Sequence, residues 1–285
     1  MVERSNSHSE IGAVHSRLRS ALLRHGSLVI AFSGGVDSAL LAFVARDVLG
    51  ERMLAVIASS PSLPGAEEED ALDFLRAHEI PFERIVTEEL DNASYSANNP
   101  DRCYHCKKEL FARLGEIAAS RGFAAVAYGA NADDKADYRP GAGAAAEMAV
   151  AAPLAEAGIG KQLVRDLARA LGLPIWDRPS SPCLASRIPY YQPVTREKLA
   201  QIERAERALK NRGFRICRVR HHGDTGTIEV PLEDHPRITD DSVWPALAGE
   251  IKAAGFRTVT LDPGGFRSGR LNDAIEKGME DGKRS

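Results

Sequence analysis

The sequence lacks any long hydrophobic run. No apolar stretch reaches the ~18 residues that a membrane-spanning helix requires, and the first ten residues, Met1 to Glu10, are polar. An export signal would place an apolar segment there. We therefore interpret these residues as a frayed leader, and we expect a soluble, cytoplasmic protein without a membrane partner.

Cysteine is scarce and no strong excess of one charge is present. The four cysteines of the 285 residues are Cys103, Cys106, Cys183 and Cys217. Without an export signal they are expected to stay reduced, which excludes a disulfide scaffold and favours metal binding or catalysis. The 37 basic and 40 acidic residues give a net charge of −3. This balance argues against a nucleic-acid partner, although a local basic groove is compatible with it.

A glycine-rich hexapeptide is the most informative motif that the chain does contain. Its residues are Ser33, Gly34, Gly35, Val36, Asp37 and Ser38. It follows the apolar run Leu28–Phe32, which predicts a buried parallel strand, and it precedes a segment with apolar residues at helical spacing. A turn in this context directs backbone N–H groups and the positive end of a helix dipole towards an anion.

The hexapeptide is not a Walker A loop, because it contains an aspartate and no lysine. It resembles the PP-loop of the ATP pyrophosphatases, which split ATP between its α- and β-phosphates. We predict that the hexapeptide binds the pyrophosphate of ATP and that Asp37 binds Mg²⁺. The alternative is an ordinary strand-to-helix turn without a ligand.

Alternating apolar segments predict an α/β fold with a doubly wound parallel sheet in residues 1–190. The predicted strands are 28–32, 53–58, 82–86 and 123–128, and the helices are 11–25, 39–49, 67–78, 103–120 and 161–171. Residues 93–100 and 137–146 are predicted to be loops. Residues 191–285 predict a smaller α+β domain with helices at 195–211 and 243–254 and strands at 214–220, 227–230 and 258–261.

A second group of polar residues follows the predicted strand 123–128. Gly129, Asn131 and Asp134 lie where ligands bind in a doubly wound sheet, so we predict that they contact the nucleotide. Asn and Asp also form turns without any ligand, which is the alternative for this segment.

Cysteine spacing points to a metal or sulfur site. Cys103 and Cys106 are three residues apart at a predicted helix start, so their thiols are neighbours. Cys183 is the natural third ligand, and three thiolates can hold a [4Fe–4S] cluster with one iron open. Zinc with three cysteines and either His105 or another histidine is the competing site, and an inert pair is the third possibility. Cys183 can also be a nucleophile, whereas Cys217 is predicted to lie in the core.

Two arginines are predicted to share one face of a strand. Arg218 and Arg220 are separated by one residue, and paired guanidinium groups suit a phosphate or a carboxylate. Glu229 on the predicted partner strand is their salt-bridge partner, or it contacts a metal or the substrate.

Five motifs in this order resemble one family. They are SGGVDS, NPDRCYHCKKEL, GANADDKADYRPG, SSPCLASRIPY and GFRICRVRHHGDTGTIEV. Together they resemble the LarE family, the ATP-dependent sulfur transferases of nickel-pincer nucleotide cofactor synthesis, from about Ile11 to Leu261. The resemblance implies that ATP adenylates a carboxylate of pyridinium-3,5-biscarboxylic acid mononucleotide, that pyrophosphate leaves, and that sulfur then displaces AMP to give a thiocarboxylate.

The resemblance also implies roles for particular residues. Asp37 serves the Mg²⁺ and pyrophosphate, and Glu206 and Glu229 contact a metal or the substrate. The residues implied for the phosphate of the mononucleotide are Ser186, Arg187, Arg218 and Arg220. The family further implies a homo-oligomer.

The family is divided over the sulfur source. One type sacrifices the cysteine at the position of Cys183, which becomes dehydroalanine. The other type has the CxxC pair as well and uses sulfide bound to a [4Fe–4S] cluster, which a sulfide donor must reload. Because this chain has Cys103, Cys106 and Cys183, we favour the cluster.

Two other functions share some of these features. The tRNA thiolation enzymes have a similar loop and three cysteines, but the acidic net charge and the lack of a basic appendage argue against them. A nucleotide-responsive iron–sulfur or zinc scaffold is the non-enzymatic alternative.

Overall fold

The computed structural model of the chain describes residues 2–136, 140–179 and 181–267. These residues form two compact units. The first unit is the described part of 1–60, 65–89 and 103–181, and the second is the described part of 61–64, 90–102 and 182–285. None of the helices in the described ranges is long and apolar enough to cross a membrane.

The helices and strands follow one another along the chain in this order. The helices are α1 (Val2–His25), α2 (Val36–Leu49), α3 (Gly65–Ala77), α4 (Ala93–Ser96), α5 (Arg102–Arg121), α6 (Pro140–Glu147), α7 (Pro153–Glu156), α8 (Lys161–Ala170), α9 (Arg196–Asn211), α10 (His235–Ile238) and α11 (Trp244–Ala253). The strands are β1 (Leu28–Phe32), β2 (Met53–Ser59), β3 (Phe82–Val86), β4 (Ala125–Tyr128), β5 (Arg218–His222), β6 (Thr225–Glu229) and β7 (Thr258–Leu261).

The first unit contains a parallel sheet with the strand order β3-β2-β1-β4. All five residues of β1 are buried, as expected for a central parallel strand covered on both faces. Val29 and Ala31 pack in one cluster with Phe111 of α5 and Ala144 of α6. The alternate side chains of β1 point to the opposite face, where Phe32 stacks on Phe74 of α3. The doubly wound α/β fold predicted from the sequence is confirmed.

The strand order explains the position of the hexapeptide. The chain moves from β1 to β2 on one side and returns to place β4 on the other side, so β1 and β4 are neighbours at a topological switch point. The hexapeptide leaves the carboxyl end of β1, and Gly129 leaves the carboxyl end of β4. Ligands of open α/β sheets bind in the crevice at such a point.

The second unit contains a three-stranded sheet with the order β5-β6-β7. β5 and β6 are antiparallel, with Arg218 opposite Glu229, and β6 and β7 are parallel. Helix α9 begins where the sequence predicts, because the side chain of Thr195 accepts a hydrogen bond from Lys198 N. The predicted α+β character of this part of the chain is confirmed.

Four local predictions were wrong. Residues 1–10 were interpreted as a frayed leader, but helix α1 begins at Val2. Residues 93–100 were predicted as a loop, but Ala93–Ser96 form helix α4.

Residues 137–146 were predicted as a loop, but helix α6 begins at Pro140, and Ala144 and Ala145 are buried in the core cluster. Proline suits a first helical turn and alanine favours a helix, which together outweigh the glycines. Residues 137–139 lie outside the described range. The strand predicted to start at 214 instead begins at Arg218, so Cys217 precedes it.

Candidate active site

The hexapeptide forms a tight turn that is held by its own last residue. Gly34 has a φ of 71° and Gly35 is the N-cap of α2. The Ser38 hydroxyl donates to Gly35 O at 3.0 Å and accepts from Ser33 N at 3.2 Å. This hydroxyl is therefore engaged within the turn, and the predicted contact of Ser38 with ATP stays a prediction.

Two glycines allow close packing around this turn. A Cβ atom on Gly34 would lie 2.8 Å from the Cβ atom of Ala71 in α3. A Cβ atom on Gly129 would lie 2.8 Å from Ser38 N at the start of α2. Real Cβ atoms do not approach other atoms so closely, so both positions require glycine. The turn is therefore braced by α3 on one side and by the end of β4 on the other.

Asp37 lies at the centre of a polar network at the switch point. Its Oδ1 accepts from Asn131 Nδ2 at 3.1 Å. Its Oδ2 accepts from the ammonium group of Lys161, the first residue of α8. The structure therefore brings together two residues predicted from the sequence, Asp37 and Asn131, and one that was not.

The segment after β4 positions Lys161. Asn131 Oδ1 accepts from Asp133 N at 3.0 Å, and Asp134 Oδ2 accepts from Asn131 N at 3.0 Å, so these side chains form a compact turn. Asp133 Oδ2 in turn accepts from Lys161 N at 2.7 Å, at the N-terminus of α8. A carboxylate is favourable there because of the helix dipole. Asp134 thus folds the turn, and its predicted contact with ATP is untested.

A pocket of about 180 Å³ opens beside the turn. Its lining residues are Ser33, Gly34, Gly35, Val36, Asp37, Glu67, Lys161, Arg178, Pro179 and Ser181. Five of the six hexapeptide residues therefore line one pocket with two cationic side chains. The hexapeptide itself contains no lysine, and the fold brings Lys161 to it instead. Lys161 is 124 residues from Asp37 in sequence, which places it outside any local motif.

The Asp37 carboxylate fits a Mg²⁺ ion that is bound together with a nucleotide. Mg²⁺ usually takes one or two carboxylates and completes its shell with phosphate oxygens and water. Asp37 supplies such a carboxylate beside backbone N–H groups at the start of a helix of 14 residues. In such a complex Asp37 would hold the metal, and Lys161 would be released to pair with phosphate.

Cys103 and Cys106 occupy the first turn of α5. Cys103 is exposed and Cys106 is half-buried, and no disulfide joins any of the four cysteines, all of which lie in the described ranges. Within those ranges no three Cys, His, Asp or Glu side chains are grouped as a metal site. The pair therefore supplies two neighbouring thiols, and the third ligand of the predicted cluster is not assembled with them in the part of the chain that the structure describes.

Cys183 lies at the start of a short 3₁₀ turn, Leu184–Arg187, in the second unit. Its thiol is half-buried. The backbone beside it is fixed by a hydrogen bond of 2.8 Å from Leu184 N to Ser62 O. Cys217, by contrast, is buried as predicted, and burial together with the nearby Glu206 raises the pKa of its thiol to about 12. Cys217 is therefore unsuited to act as a thiolate.

Arg187 and Glu206 form a buried ion pair, each 3% exposed. Arg187 Nε donates to Glu206 Oε1 at 2.8 Å, and a second guanidinium nitrogen donates to Glu206 Oε2 at 3.0 Å. Glu206 Oε1 also accepts from Val219 N at 3.0 Å. Glu206 thereby joins the Cys183 turn to strand β5. The predicted contacts of both residues with substrate or metal remain predictions.

Arg218 and Arg220 lie on the same face of β5, but their surroundings differ. Arg220 forms an ion pair of 3.0 Å with the buried Glu229 and donates to Ser186 O at 2.7 Å. Arg218 is only 5% exposed, and its guanidinium lies 4.6 Å from the centre of the Phe266 ring. The buried Nε of Arg220, by contrast, has no hydrogen-bond partner among the described residues.

The buried arginines repel one another. Burial, with the charges of Arg187 and Arg220, lowers the pKa of Arg218 to about 10. Three guanidinium groups face only two carboxylates in this cluster, those of Glu206 and Glu229. An anion next to Arg218 would balance the excess positive charge of these guanidinium groups.

Comparisons with known proteins agree with this architecture. The family model described as NAD synthase matches residues 12–134, which include the hexapeptide and the turn after β4. The chain is 44% identical over 249 residues to an uncharacterised protein of Synechocystis sp., covering 87% of this chain and 93% of that protein. It is 26% identical over 245 residues to an uncharacterised protein of Methanocaldococcus jannaschii, covering 86% and 92%.

A third relative has a named activity. The chain is 39% identical over 252 residues to the pyridinium-3,5-bisthiocarboxylic acid mononucleotide synthase of Lactiplantibacillus plantarum, covering 88% of this chain and 90% of that protein. The match therefore extends over both units. This chain belongs to the family of that synthase, the LarE family, which resembles the PP-loop enzymes in its first unit.

Proposed function

We propose that this chain is an ATP-dependent sulfur transferase. It adenylates a carboxylate of pyridinium-3,5-biscarboxylic acid mononucleotide, releases pyrophosphate, and converts the activated carboxylate to a thiocarboxylate. The observation that carries the proposal is the pocket beside the hexapeptide, where Asp37, Lys161 and Arg178 line one cavity. The name of the Lactiplantibacillus relative supports the choice of substrate.

In this proposal the first unit binds ATP. Backbone N–H groups from Ser33 to Ser38 bind the β- and γ-phosphates, aided by the dipole of α2. Lys161 and Arg178 neutralise phosphate charge, and Asp37 holds Mg²⁺. Gly129 serves by allowing the end of β4 to approach Ser38, and Asn131 orients Asp37 through the hydrogen bond to Oδ1.

The second unit binds the anionic substrate in this proposal. Burial and the charges of Arg187 and Arg220 lower the pKa of Arg218, and an anion relieves this repulsion. Arg218 therefore contacts the phosphate or a carboxylate of the mononucleotide. Ser186 and Arg220 lie next to it in the cluster and are proposed to complete the anion site. Glu229 keeps Arg220 oriented through their ion pair of 3.0 Å.

The chemistry requires activation before sulfur can attack. A carboxylate repels nucleophiles and has no usable leaving group. Its oxygen therefore attacks the α-phosphorus of ATP, and the bond to the β-phosphate breaks, releasing pyrophosphate. Sulfur then attacks the acyl carbon, AMP leaves with the former carboxylate oxygen, and the thiocarboxylate remains. A thiolate is a strong nucleophile near neutral pH, so no further activation is needed.

For the sulfur source, we propose a [4Fe–4S] cluster held by Cys103, Cys106 and Cys183. Such a cluster would leave one iron free to carry sulfide. The fit is partial, since the described residues contain no grouped set of three ligands, and we derive no step through the cluster. In the competing mechanism the Cys183 thiolate attacks the acyl adenylate, and β-elimination then leaves dehydroalanine and the thiocarboxylate.

One experiment tests the proposal and separates its alternatives. Anaerobically purified protein is assayed for iron and sulfide and then incubated with ATP, Mg²⁺ and the pyridinium dicarboxylate mononucleotide. Pyrophosphate, AMP and thiocarboxylate are measured over time, and the peptide containing Cys183 is weighed by mass spectrometry. Cys103→Ser is the test variant, and Cys217→Ser is the matched control because Cys217 is buried away from the proposed chemistry.

The outcomes differ for each mechanism. The cluster mechanism predicts iron in the wild type, its loss in Cys103→Ser, and an unchanged mass at Cys183 after turnover. The sacrificial mechanism predicts a single turnover in the wild type and in Cys103→Ser, with a Cys183 peptide that is lighter by the elements of H₂S. Absence of pyrophosphate release would favour the nucleotide-responsive scaffold. In a separate incubation with tRNA, salt-sensitive thiolation would identify the chain as a tRNA thiolation enzyme.

A further inference from the structure

Buried arginines hold the backbone of the turn that carries Cys183. Four of the five consecutive carbonyl oxygens from Pro182 to Ser186 accept hydrogen bonds from guanidinium groups. Arg187 donates to Pro182 O at 2.5 Å and to Cys183 O at 3.2 Å, Arg102 to Ala185 O at 3.0 Å, and Arg220 to Ser186 O at 2.7 Å. The three arginines are 3–7% exposed. Burying a charged side chain costs desolvation free energy, so three buried arginines on one turn indicate that the position of its backbone matters.

Arg102 is the member of this set for which sequence analysis assigned no role. It is the first residue of α5 and directly precedes Cys103 in the chain. One guanidinium nitrogen donates both to Ala185 O and to Asn98 Oδ1. Arg102 therefore ties residues 98–102 of the second unit to the backbone two residues beyond Cys183.

Asn98 makes this connection rigid. It is fully buried and has a φ of 59°, a left-handed conformation that is unusual for a residue other than glycine. Its Nδ2 lies within 3.3 Å of three carbonyl oxygens, those of Ile188, Pro189 and Gln192. The strained conformation persists because these contacts over-determine it. Asn98 and Arg102 together clamp the chain segment that continues from the Cys183 turn.

We propose that Arg102 is a positioning residue for sulfur transfer, which fixes the Cys183 turn against residues 98–102 within the second unit. This inference rests on the proposed function for its catalytic meaning. Arg102 acts through its hydrogen bonds to Ala185 O and to the side chain of Asn98. A planar guanidinium can donate to two acceptors in a fixed geometry, which lysine cannot reproduce. Displacing a reacting group by ~1 Å can lower a rate about 100-fold, so this geometry matters for the transfer step.

The test compares Arg102→Met and Arg102→Lys with Arg204→Met. Arg204 is the control in the same unit, because its guanidinium also donates to a carbonyl, Ala254 O, at 2.8 Å, but from an exposed position. Two quantities are measured for each protein. The first is the rate at which pyrophosphate and thiocarboxylate form in one turnover. The second is the rate at which iodoacetamide alkylates Cys183 in metal-free protein, with buried Cys217 as the reporter of global unfolding.

We expect Arg102→Met to release pyrophosphate normally in a single burst but to form thiocarboxylate about 10- to 100-fold more slowly. Alkylation of Cys183 should rise about tenfold, the change expected when one charged hydrogen bond no longer resists local opening. Cys217 should stay protected. Arg102→Lys should fall between wild type and Arg102→Met, and Arg204→Met should match wild type in both assays.

Two results would overturn the inference. One is equal acceleration of alkylation at Cys183 and Cys217, which means that Arg102 serves global stability. The other is an Arg102→Met protein that matches wild type both in the alkylation rate of Cys183 and in the rate of thiocarboxylate formation. Failure of the proposed function is recognised separately, by the absence of pyrophosphate from the wild type, and the alkylation measurement still decides the positioning role in that case.

Discussion

Replacing Gly34 by alanine tests whether close packing shapes the phosphate-binding turn. The substitution has two separable effects on the free energy of unfolding. At a φ of 71° an L-residue loses ~1–2 kcal/mol. The new methyl group would also lie 2.8 Å from the Cβ atom of Ala71, and overpacking of this kind costs ~1–3 kcal/mol. The expected total loss is therefore about 2–5 kcal/mol.

Gly172→Ala separates the two effects. Gly172 has a φ of 74°, but a Cβ atom there would meet nothing within 4 Å. This control should lose only the backbone contribution, ~1–2 kcal/mol. The difference between the two variants, measured by denaturant unfolding, is the steric contribution.

A double-mutant cycle isolates the contact itself. Ala71→Gly removes the methyl group that Gly34→Ala would strike, so the combination should recover ~1–3 kcal/mol relative to the sum of the single effects. Gly34→Ala should remain folded, because total stabilities are typically ~5–15 kcal/mol. Its pyrophosphate release should nevertheless fall more than about tenfold, since the N–H groups of the turn are displaced. Equal losses in Gly34→Ala and Gly172→Ala, with no coupling to Ala71, would refute the packing argument.

Three further changes probe other parts of the account. Lys161→Met should raise the KM for ATP about 10- to 100-fold, because a charged hydrogen bond to phosphate contributes ~1.5–3 kcal/mol, whereas Lys108→Met, which removes a surface pair with Glu147, should leave it unchanged. Arg218→Gln should raise the KM for the mononucleotide far more than the KM for ATP, and an unchanged substrate KM would remove Arg218 from the anion site. Burial, aided by the charge of Lys198, lowers the pKa of His221 from its ordinary 6.5. The neutral ring therefore contributes stability above pH 6.5, and this contribution is lost as the pH falls through the lower pKa of the folded state. The unfolding free energy of His221→Gln should accordingly depend less on pH in that range, and an unchanged slope would show that His221 does not contribute.

The elements that could be predicted are those in which local sequence determines structure. Leu28–Phe32 is a short apolar run typical of a buried strand. The hexapeptide has glycines that permit a tight turn, and Thr195 is a preferred N-cap residue. Lys161 was missed because its partner Asp37 is 124 residues away and only the sheet order brings them together. No periodicity marks such a lysine at the start of a helix.

The roles of the arginines were beyond sequence analysis for a related reason. Arg102, Arg187, Arg218 and Arg220 differ in the acceptors that surround them, and these acceptors are mostly backbone carbonyl groups. Because every residue has a carbonyl group, the sequence cannot indicate which carbonyl oxygen accepts a hydrogen bond from a given arginine. Only the folded structure distinguishes Arg218, which stacks on Phe266, from the arginines that donate to carbonyl groups of the Cys183 turn.

The central claim is that a carboxylate oxygen of the substrate attacks the α-phosphorus of ATP, and so receives the adenylyl group, before sulfur enters. The most direct measurement uses pyridinium-3,5-biscarboxylic acid mononucleotide labelled with ¹⁸O in its carboxylates, with mass analysis of the nucleotide product. The account predicts AMP that carries one ¹⁸O atom on its phosphate for each thiocarboxylate formed. Unlabelled AMP, or ADP with orthophosphate, would contradict it.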